Sequence, residues 1–179
     1  MKINGNLKKL ASAAVMTALI CVLTAAVRIP SPVNGYLNLG DSAVLFAGWF
    51  LGPLYGAAAA GIGSAFADLL AGWPVYIPGT AVIKALMAVT VALVRSFLRE
   101  RGRKGSRAGL IAGSAAAEAI MVSGYLTYEA AFMGEGFAAA LSGVPGNALQ
   151  GAVGIAGALL LTAAAERTGA VRPFGGTGR

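Results

Sequence analysis

The stretch NGYLNLGDSAVLFAGWFLGPLYG, Asn34–Gly56, decides how this chain is read. It opens on turn-forming residues (Asn34, Gly35, Asn38, Gly40, Asp41), runs into an apolar series and breaks at Gly52-Pro53. Polar groups at the mouth of an apolar helix cost free energy unless something pairs with them. The reason for keeping Asn38 and Asp41 there is found in the surrounding chain.

Of 179 residues, 57% are hydrophobic and 12% charged, about half the charge of an ordinary soluble domain at ~25%. A chain this apolar cannot cover a water-facing surface, so the composition predicts a polytopic membrane protein, one integral domain over residues 1–179. Histidine is absent and Cys21 is the single cysteine. That excludes a disulfide within the chain, a Cys/His metal site and a thiol–imidazole pair.

Six apolar spans are expected, at about 7–27, 37–51, 53–71, 78–98, 108–133 and 144–165, judged against the ~20 residues that cross a bilayer. The fold class is therefore an all-α bundle of six transmembrane helices. Pro53 and Pro78 suit first-turn positions, where a missing N–H costs nothing. Asp41 or Ser42 is placed to cap the second helix, whose short span suggests a tilted or partly embedded element. The start MKINGNLKKLASAAVMTALICVLTAA has the layout of a secretory signal. Its apolar run is long for one, and it is expected to remain as the first helix. No internal repeat of the inverted-repeat transporter kind is visible.

Orientation follows from lysine and arginine. With the N-terminus inside, Lys2, Lys8 and Lys9, then Arg95, Arg99, Arg101, Arg103, Lys104 and Arg107, then Arg167, Arg172 and Arg179 all fall on the cytoplasmic side. Arg28 falls outside and Lys84 within a span. Both termini are thus expected in the cytoplasm, and the net charge of +7 reads as a topology signal beside anionic lipid, not as a nucleic-acid patch.

Ionisable groups inside a membrane are costly and point to function. At a rise of ~1.5 Å per residue, Asp68, Lys84, Tyr125, Glu129, Asn147 and Gln150 fall in the outer half, with Trp73 and Tyr76 in the outer connection and Glu118 near mid-bilayer. Glu118, Val122, Tyr125 and Glu129 are spaced for one helix face, as are Asn147 with Gln150 and Thr80 with Lys84. The pattern suits an outward-open pocket with apolar walls and a few convergent polar groups. Plainer roles stand beside this one: an Asp68–Lys84 ion pair, belt aromatics at Trp73 and Tyr76, headgroup-level water around Glu129, and helix caps at Asp41 and Asn147. Small residues at Ala14 and Ala18, and at Gly52, Gly56, Ala60, Gly61 and Ser64, permit close helix approach, within the bundle or against a partner.

The stretch YLNLGDSAVLFAGWFLGPLYGAAAAGIGSAFADLLAGWPVYIPGTAVIKALMA resembles the substrate-binding S component of an energy-coupling factor (ECF) vitamin transporter, in the branch labelled riboflavin or hydroxymethylpyrimidine. The resemblance rests on Asn38, Gly40 and Asp41, the Leu51–Pro53 break, the Gly-rich third helix with Asp68, the aromatic loop Gly72–Pro78, and Lys84. It covers about residues 7–166.

The resemblance implies a bundle of six helices in the cell membrane with an external vitamin pocket under the first-to-second and third-to-fourth loops. It implies docking of the first helix through Ala14 and Ala18 onto a transmembrane T component, with two cytoplasmic ATPases completing the importer. The chain has no phosphate loop of its own, and neither enzymatic activity nor a cofactor is expected. Asn34–Asp41 would form part of the lid, with Asn38 and Asp41 holding its turn or touching the ligand. The pocket residues expected are Asn38, Asp41, Trp73, Tyr76, Lys84, Glu118, Tyr125, Glu129, Asn147 and Gln150. Two carboxylates on one face favour an amino-heterocycle of hydroxymethylpyrimidine, thiamine or pyridoxine type. Riboflavin, stacked on Trp73 and Tyr76, is the alternative, and a stand-alone small carrier or accessory membrane protein is the reading of a different class.

Overall fold

The computed structural model describes residues 5–30, 36–101, 107–134 and 136–169. Lys2, Asn34, Gly35, Arg103, Lys104, Arg172 and Arg179, read above, lie outside the described residues.

The described chain is helical apart from one short hairpin. The helices are α1 (Gly5–Ala26), α2 (Gly40–Leu51), α3 (Pro53–Ala71), α4 (Ile77–Glu100), α5 (Arg107–Thr127) and α6 (Phe137–Arg167). Strands β1 (Ile29–Pro30) and β2 (Tyr36–Leu37) pair antiparallel between α1 and α2, with Ile29 opposite Leu37. Five helices are long and apolar enough to cross a membrane, and α2 is shorter.

The brevity of α2 reflects its position. Every residue from Gly40 to Trp49 is buried, as expected for a helix apolar on all sides, and α1, α3, α4 and α6 pack around it. It occupies the centre of the bundle. It also starts at Gly40 and not at Leu37, because Tyr36 and Leu37 are committed to the hairpin. Gly52 ends it at φ 81°, a conformation that glycine adopts without a Cβ penalty, and Pro53 begins α3 in the first-turn position expected of it.

Glycines set the distances between helices. A Cβ on Gly56 would lie 2.9 Å from the Ala47 carbonyl of α2, one on Gly61 2.9 Å from the Ala81 carbonyl of α4, and one on Gly63 2.6 Å from the Thr17 carbonyl of α1. The small residues of α3 therefore serve packing inside the bundle. Gly72, at φ 81°, closes α3 in a Schellman arrangement, with Gly72 N–H donating to Leu69 O and Trp73 N–H to Asp68 O.

Two further differences from the sequence expectation concern the end of the fifth helix and the start of the sixth. The fifth helix ends in one wide turn, Tyr128–Phe132, closed by Met133 N–H donating to Tyr128 O at 3.0 Å. The sixth begins at Phe137, not Val144, so Pro145-Gly146 lies inside α6 and Asn147 is not its cap. Proline and glycine together read as a break, but here Gly146 gives Leu37 of the hairpin a flat seat, 3.3 Å from where a Cβ would stand.

Lys8, Lys9, Arg95, Arg99, Arg101, Arg107 and Arg167 lie at the start of α1, the end of α4, the start of α5 and the end of α6 or just beyond them, while Arg28 stands alone beside the hairpin among the described basic residues outside the core. The hairpin and the α3–α4 connection lie at the other end of these helices. Side-chain chemistry is thus divided between a basic end and an aromatic end.

Candidate functional site

At the aromatic end a cavity of about 40 Å³ is lined by Tyr36, Asn38, Asp68, Trp73, Tyr76, Thr80, Tyr125, Glu129, Asn147 and Gln150. A water molecule needs roughly 10–15 Å³ of such space, so the cavity has room for about three. Its roof consists of aromatic residues tied down by carboxylates. The Tyr36 hydroxyl of β2 donates to Asp68 Oδ1 of α3 at 3.1 Å. The Tyr76 hydroxyl donates to Glu129 Oε1 at 3.1 Å. Burial and the adjacent Asp68 carboxylate hold the Tyr36 phenol above its usual pKa range, so it stays a donor.

The aromatic rings touch in sequence. Trp73 meets Tyr76 edge-on at 6.1 Å between centroids, and Tyr76 lies 6.3 Å from both Tyr125 and Tyr128. Tyr128 anchors the connection by donating to Val75 O at 2.7 Å, and Gly79 is where its ring rests, since a Cβ there would lie 2.7 Å from the ring. Thr80 and Tyr125 share a hydroxyl–hydroxyl hydrogen bond of 3.0 Å on the cavity wall.

Beneath the cavity lies a buried polar network. Lys84 of α4, 2% exposed, forms an ion pair with Asp41 Oδ1 of α2, which is fully buried. Asp41 Oδ2 accepts from Gln150 Nε2 of α6 at 2.6 Å. Gln150 Oε1 in turn accepts the Asn38 backbone N–H at 2.8 Å, and Asn38 Oδ1 accepts the Gly40 N–H at 2.9 Å. Lys84 Nζ also lies 5.4 Å from the centre of the Tyr125 ring. The network joins α4, α2, α6 and the hairpin exit, and it fixes which way the Gln150 amide points.

Seven of the ten residues expected at the pocket line this cavity: Asn38, Trp73, Tyr76, Tyr125, Glu129, Asn147 and Gln150. Asn147 makes no side-chain hydrogen bond to other described residues. Asp41 and Lys84 lie one layer below. Asp41 is neither an exposed turn residue nor a helix cap, because its carboxylate is occupied by Lys84 and Gln150. The ion pair expected between Asp68 and Lys84 is replaced by Lys84–Asp41, and Asp68 takes the Tyr36 hydroxyl instead. Asn38 holds its turn through Gly40 and also borders the cavity.

Glu118 is not brought to the cavity. It borders a groove of small residues between α5 and α6, with Ala115, Ala119, Ala148 and Ala152. Its carboxylate packs on Gly151 and Gly154, and neither oxygen has a hydrogen-bond partner among the described residues. The face expected from Glu118 to Glu129 is split. Tyr125 and Glu129 look into the cavity, while Glu118 and Val122 border the groove.

Tyr36, Asp68 and Thr80 complete the lining. Helical spacing pairs Thr80 with Lys84, and depth pairs Asp68 with Lys84, yet both border the cavity. Tyr36 was missed, although its position as the aromatic of the turn-rich stretch beside Asn38 was the available signal. On α1, Ala14 and Ala18 are exposed, whereas Ala13, Met16, Ile20 and Thr24 face the bundle. The pair expected at a partner interface is therefore not used in internal packing.

The family model for the ECF-type riboflavin transporter, S component, matches residues 4–167. An uncharacterized protein of Pyrococcus woesei is 35% identical over 122 residues, which are 68% of this chain and 78% of that protein.

Proposed function

Because this chain belongs to the family of ECF-type riboflavin transporter S components, a family of transport substrate-binding subunits and not of enzymes, we propose that it captures riboflavin at the aromatic-end cavity for an energy-coupled importer. The chain is a multi-pass membrane protein. In this reading it is a single domain in the cell membrane, with α2 as a short sixth crossing. Both termini and the basic end face the cytoplasm, and the cavity faces outward.

The observation that carries the ligand assignment is the composition of the lining. Four aromatic side chains, Tyr36, Trp73, Tyr76 and Tyr125, surround the cavity, and a fused aromatic ring system is the shape that stacks on them. Gln150 and Asn147 supply amide groups for the polar edge of such a ring. A flavin is far larger than the cavity, so binding requires the Tyr36–Asp68 and Tyr76–Glu129 bonds to yield and the hairpin and α3–α4 connection to lift. With the family description on its side, riboflavin takes precedence over the amino-heterocycles. The argument from a Glu118–Glu129 pair also loses its basis, since Glu118 borders a different groove. A hydroxymethylpyrimidine, thiamine or pyridoxine ligand stays as the second reading, favoured by the two carboxylates, Asp68 and Glu129, that do line the cavity.

Energy must come from elsewhere, since binding shifts populations only by differential affinity. We assign that role to a transmembrane T component, docked on the exposed Ala14–Ala18 face of α1, and to two cytoplasmic ATPases. Proteoliposomes holding this chain alone should bind riboflavin without concentrating it. With T component, both ATPases and Mg-ATP on the cytoplasmic face, uptake should become concentrative. Accumulation by the lone chain under a proton or sodium gradient would make it a carrier instead.

A further inference from the structure

The basic end holds a cleft of about 320 Å³, far larger than the aromatic-end cavity, between the start of α5 and the end of α6. Its walls are Leu110, Ile111, Leu159 and Leu160, and Trp49 of α2 borders it. Arg107 and Arg167 border it at the helix ends, with Glu166 beside them. Both arginines are exposed, and neither forms an ion pair with another described residue. Arg95, by contrast, is engaged: its guanidinium donates to Trp49 O and lies 5.2 Å from the centre of the Trp49 ring.

We propose that this cleft is a binding site for an anionic phospholipid. Its phosphate would be held between Arg107 and Arg167, and an acyl chain would lie along the leucine and isoleucine walls. The charge complementarity is direct: guanidinium groups match phosphate oxygens in a forked geometry, and basic pockets between membrane helices favour acidic headgroups. A free phosphate would satisfy the arginines but leave the apolar walls empty, and a neutral lipid would fill the walls but leave the arginines unpaired. A protein partner is expected elsewhere, because α1, which carries Ala14 and Ala18, packs mainly on α2 and α3 and not on α5 or α6.

The test is native mass spectrometry of the purified protein with phosphatidylglycerol, with phosphatidylcholine of the same acyl chains, and with inorganic phosphate as competitor. Phosphatidylglycerol should be retained preferentially, and excess phosphate should not displace it. The double variant R107Q/R167Q should lose the preference by roughly tenfold or more, given about one unit of membrane-surface attraction per basic residue. Ala163→Phe, which fills the cleft and keeps both arginines, should lose it as well. R99Q/R101Q, basic changes outside the cleft lining, should keep it. The proposal is overturned if R107Q/R167Q or Ala163→Phe retains the preference. It is also overturned if R99Q/R101Q loses it equally or if phosphate competes freely. Riboflavin is absent from every arm, so failure here is separate from failure of the transport reading.

Discussion

Lys84 and Asp41 form a charge pair in the centre of the bundle, with 2% of one side chain and none of the other exposed. Asp41 stands in the first turn of the buried helix α2, and Lys84 reaches it from α4 just below the cavity wall. Removing one partner leaves the other charge buried without compensation, at a cost of about 3–5 kcal/mol, while replacing both with apolar residues of similar volume is often close to neutral. Lys84→Met or Asp41→Leu alone should therefore lower the thermal transition of the detergent-purified protein sharply. The double variant should recover most of the loss. A double variant no better than the singles would mean that Asp41 acts chiefly through Gln150.

Gln150 is the link between that pair and the ligand site. Its Nε2 is directed at Asp41 and its Oε1 at the Asn38 N–H. Gln150→Leu removes both bonds and frees the hairpin exit. A hydrogen bond to a charged group contributes about 1.5–3 kcal/mol, so riboflavin affinity should fall roughly tenfold to a hundredfold in titration calorimetry. Asn38 contributes through its backbone N–H and its own turn, so Asn38→Asp, which keeps the Gly40 acceptor, should be milder.

The two glutamates of α5 and its terminal turn should behave differently. Glu129 lines the cavity and accepts the Tyr76 hydroxyl, so Glu129→Ala should weaken riboflavin binding. Glu118 is buried against Gly151 and Gly154 with no described hydrogen-bond partner. Glu118→Gln should weaken binding much less than Glu129→Ala, because Glu118 does not line the cavity and stands beside Asp41 at Gly154. Equal losses in the two variants would place Glu118 at the ligand after all.

Gly154 tests the packing around this glutamate. An added Cβ would lie 2.7 Å from Glu118 Oε1 and 2.9 Å from Asp41 Cβ. Overpacking of this kind costs about 1–3 kcal/mol, and Gly154→Ala should lower the thermal transition accordingly. Combining it with Glu118→Ala, which vacates part of the space, should restore some of it.

Orientation is open to a labelling experiment in a background where Cys21 is replaced by alanine. Val75, half exposed in the α3–α4 connection, should react as cysteine with an impermeant thiol reagent in intact cells. Arg101→Cys, at the end of α4, should react only after the membrane is opened. The reverse pattern would turn the bundle over.

Most of the helical architecture was legible because membrane insertion imposes a coarse rule: long apolar runs, separated by charge or by Gly-Pro, become helices. What escaped was set by tertiary contact. Leu37 belongs to a hairpin because β1 is there to pair with it, and Pro145-Gly146 stays helical with Leu37 seated on Gly146. Helical spacing correctly grouped Tyr125 with Glu129 and Asn147 with Gln150. It could not tell that Glu118, seven residues deeper than Tyr125, borders a different groove. Nor could it choose among the carboxylates for Lys84, since depth alone favoured Asp68 while the central position of α2 brings Asp41 within reach.

The most direct test is a riboflavin titration of the purified wild-type chain and of Tyr76→Ala, followed by quenching of flavin fluorescence, with hydroxymethylpyrimidine, thiamine and pyridoxine as competitors. The account predicts saturable one-to-one binding of riboflavin, no effective competition from the other three, and a large loss of affinity in Tyr76→Ala. Absence of riboflavin binding by the folded wild-type protein, or binding untouched by loss of the Tyr76 ring and its bond to Glu129, would contradict it.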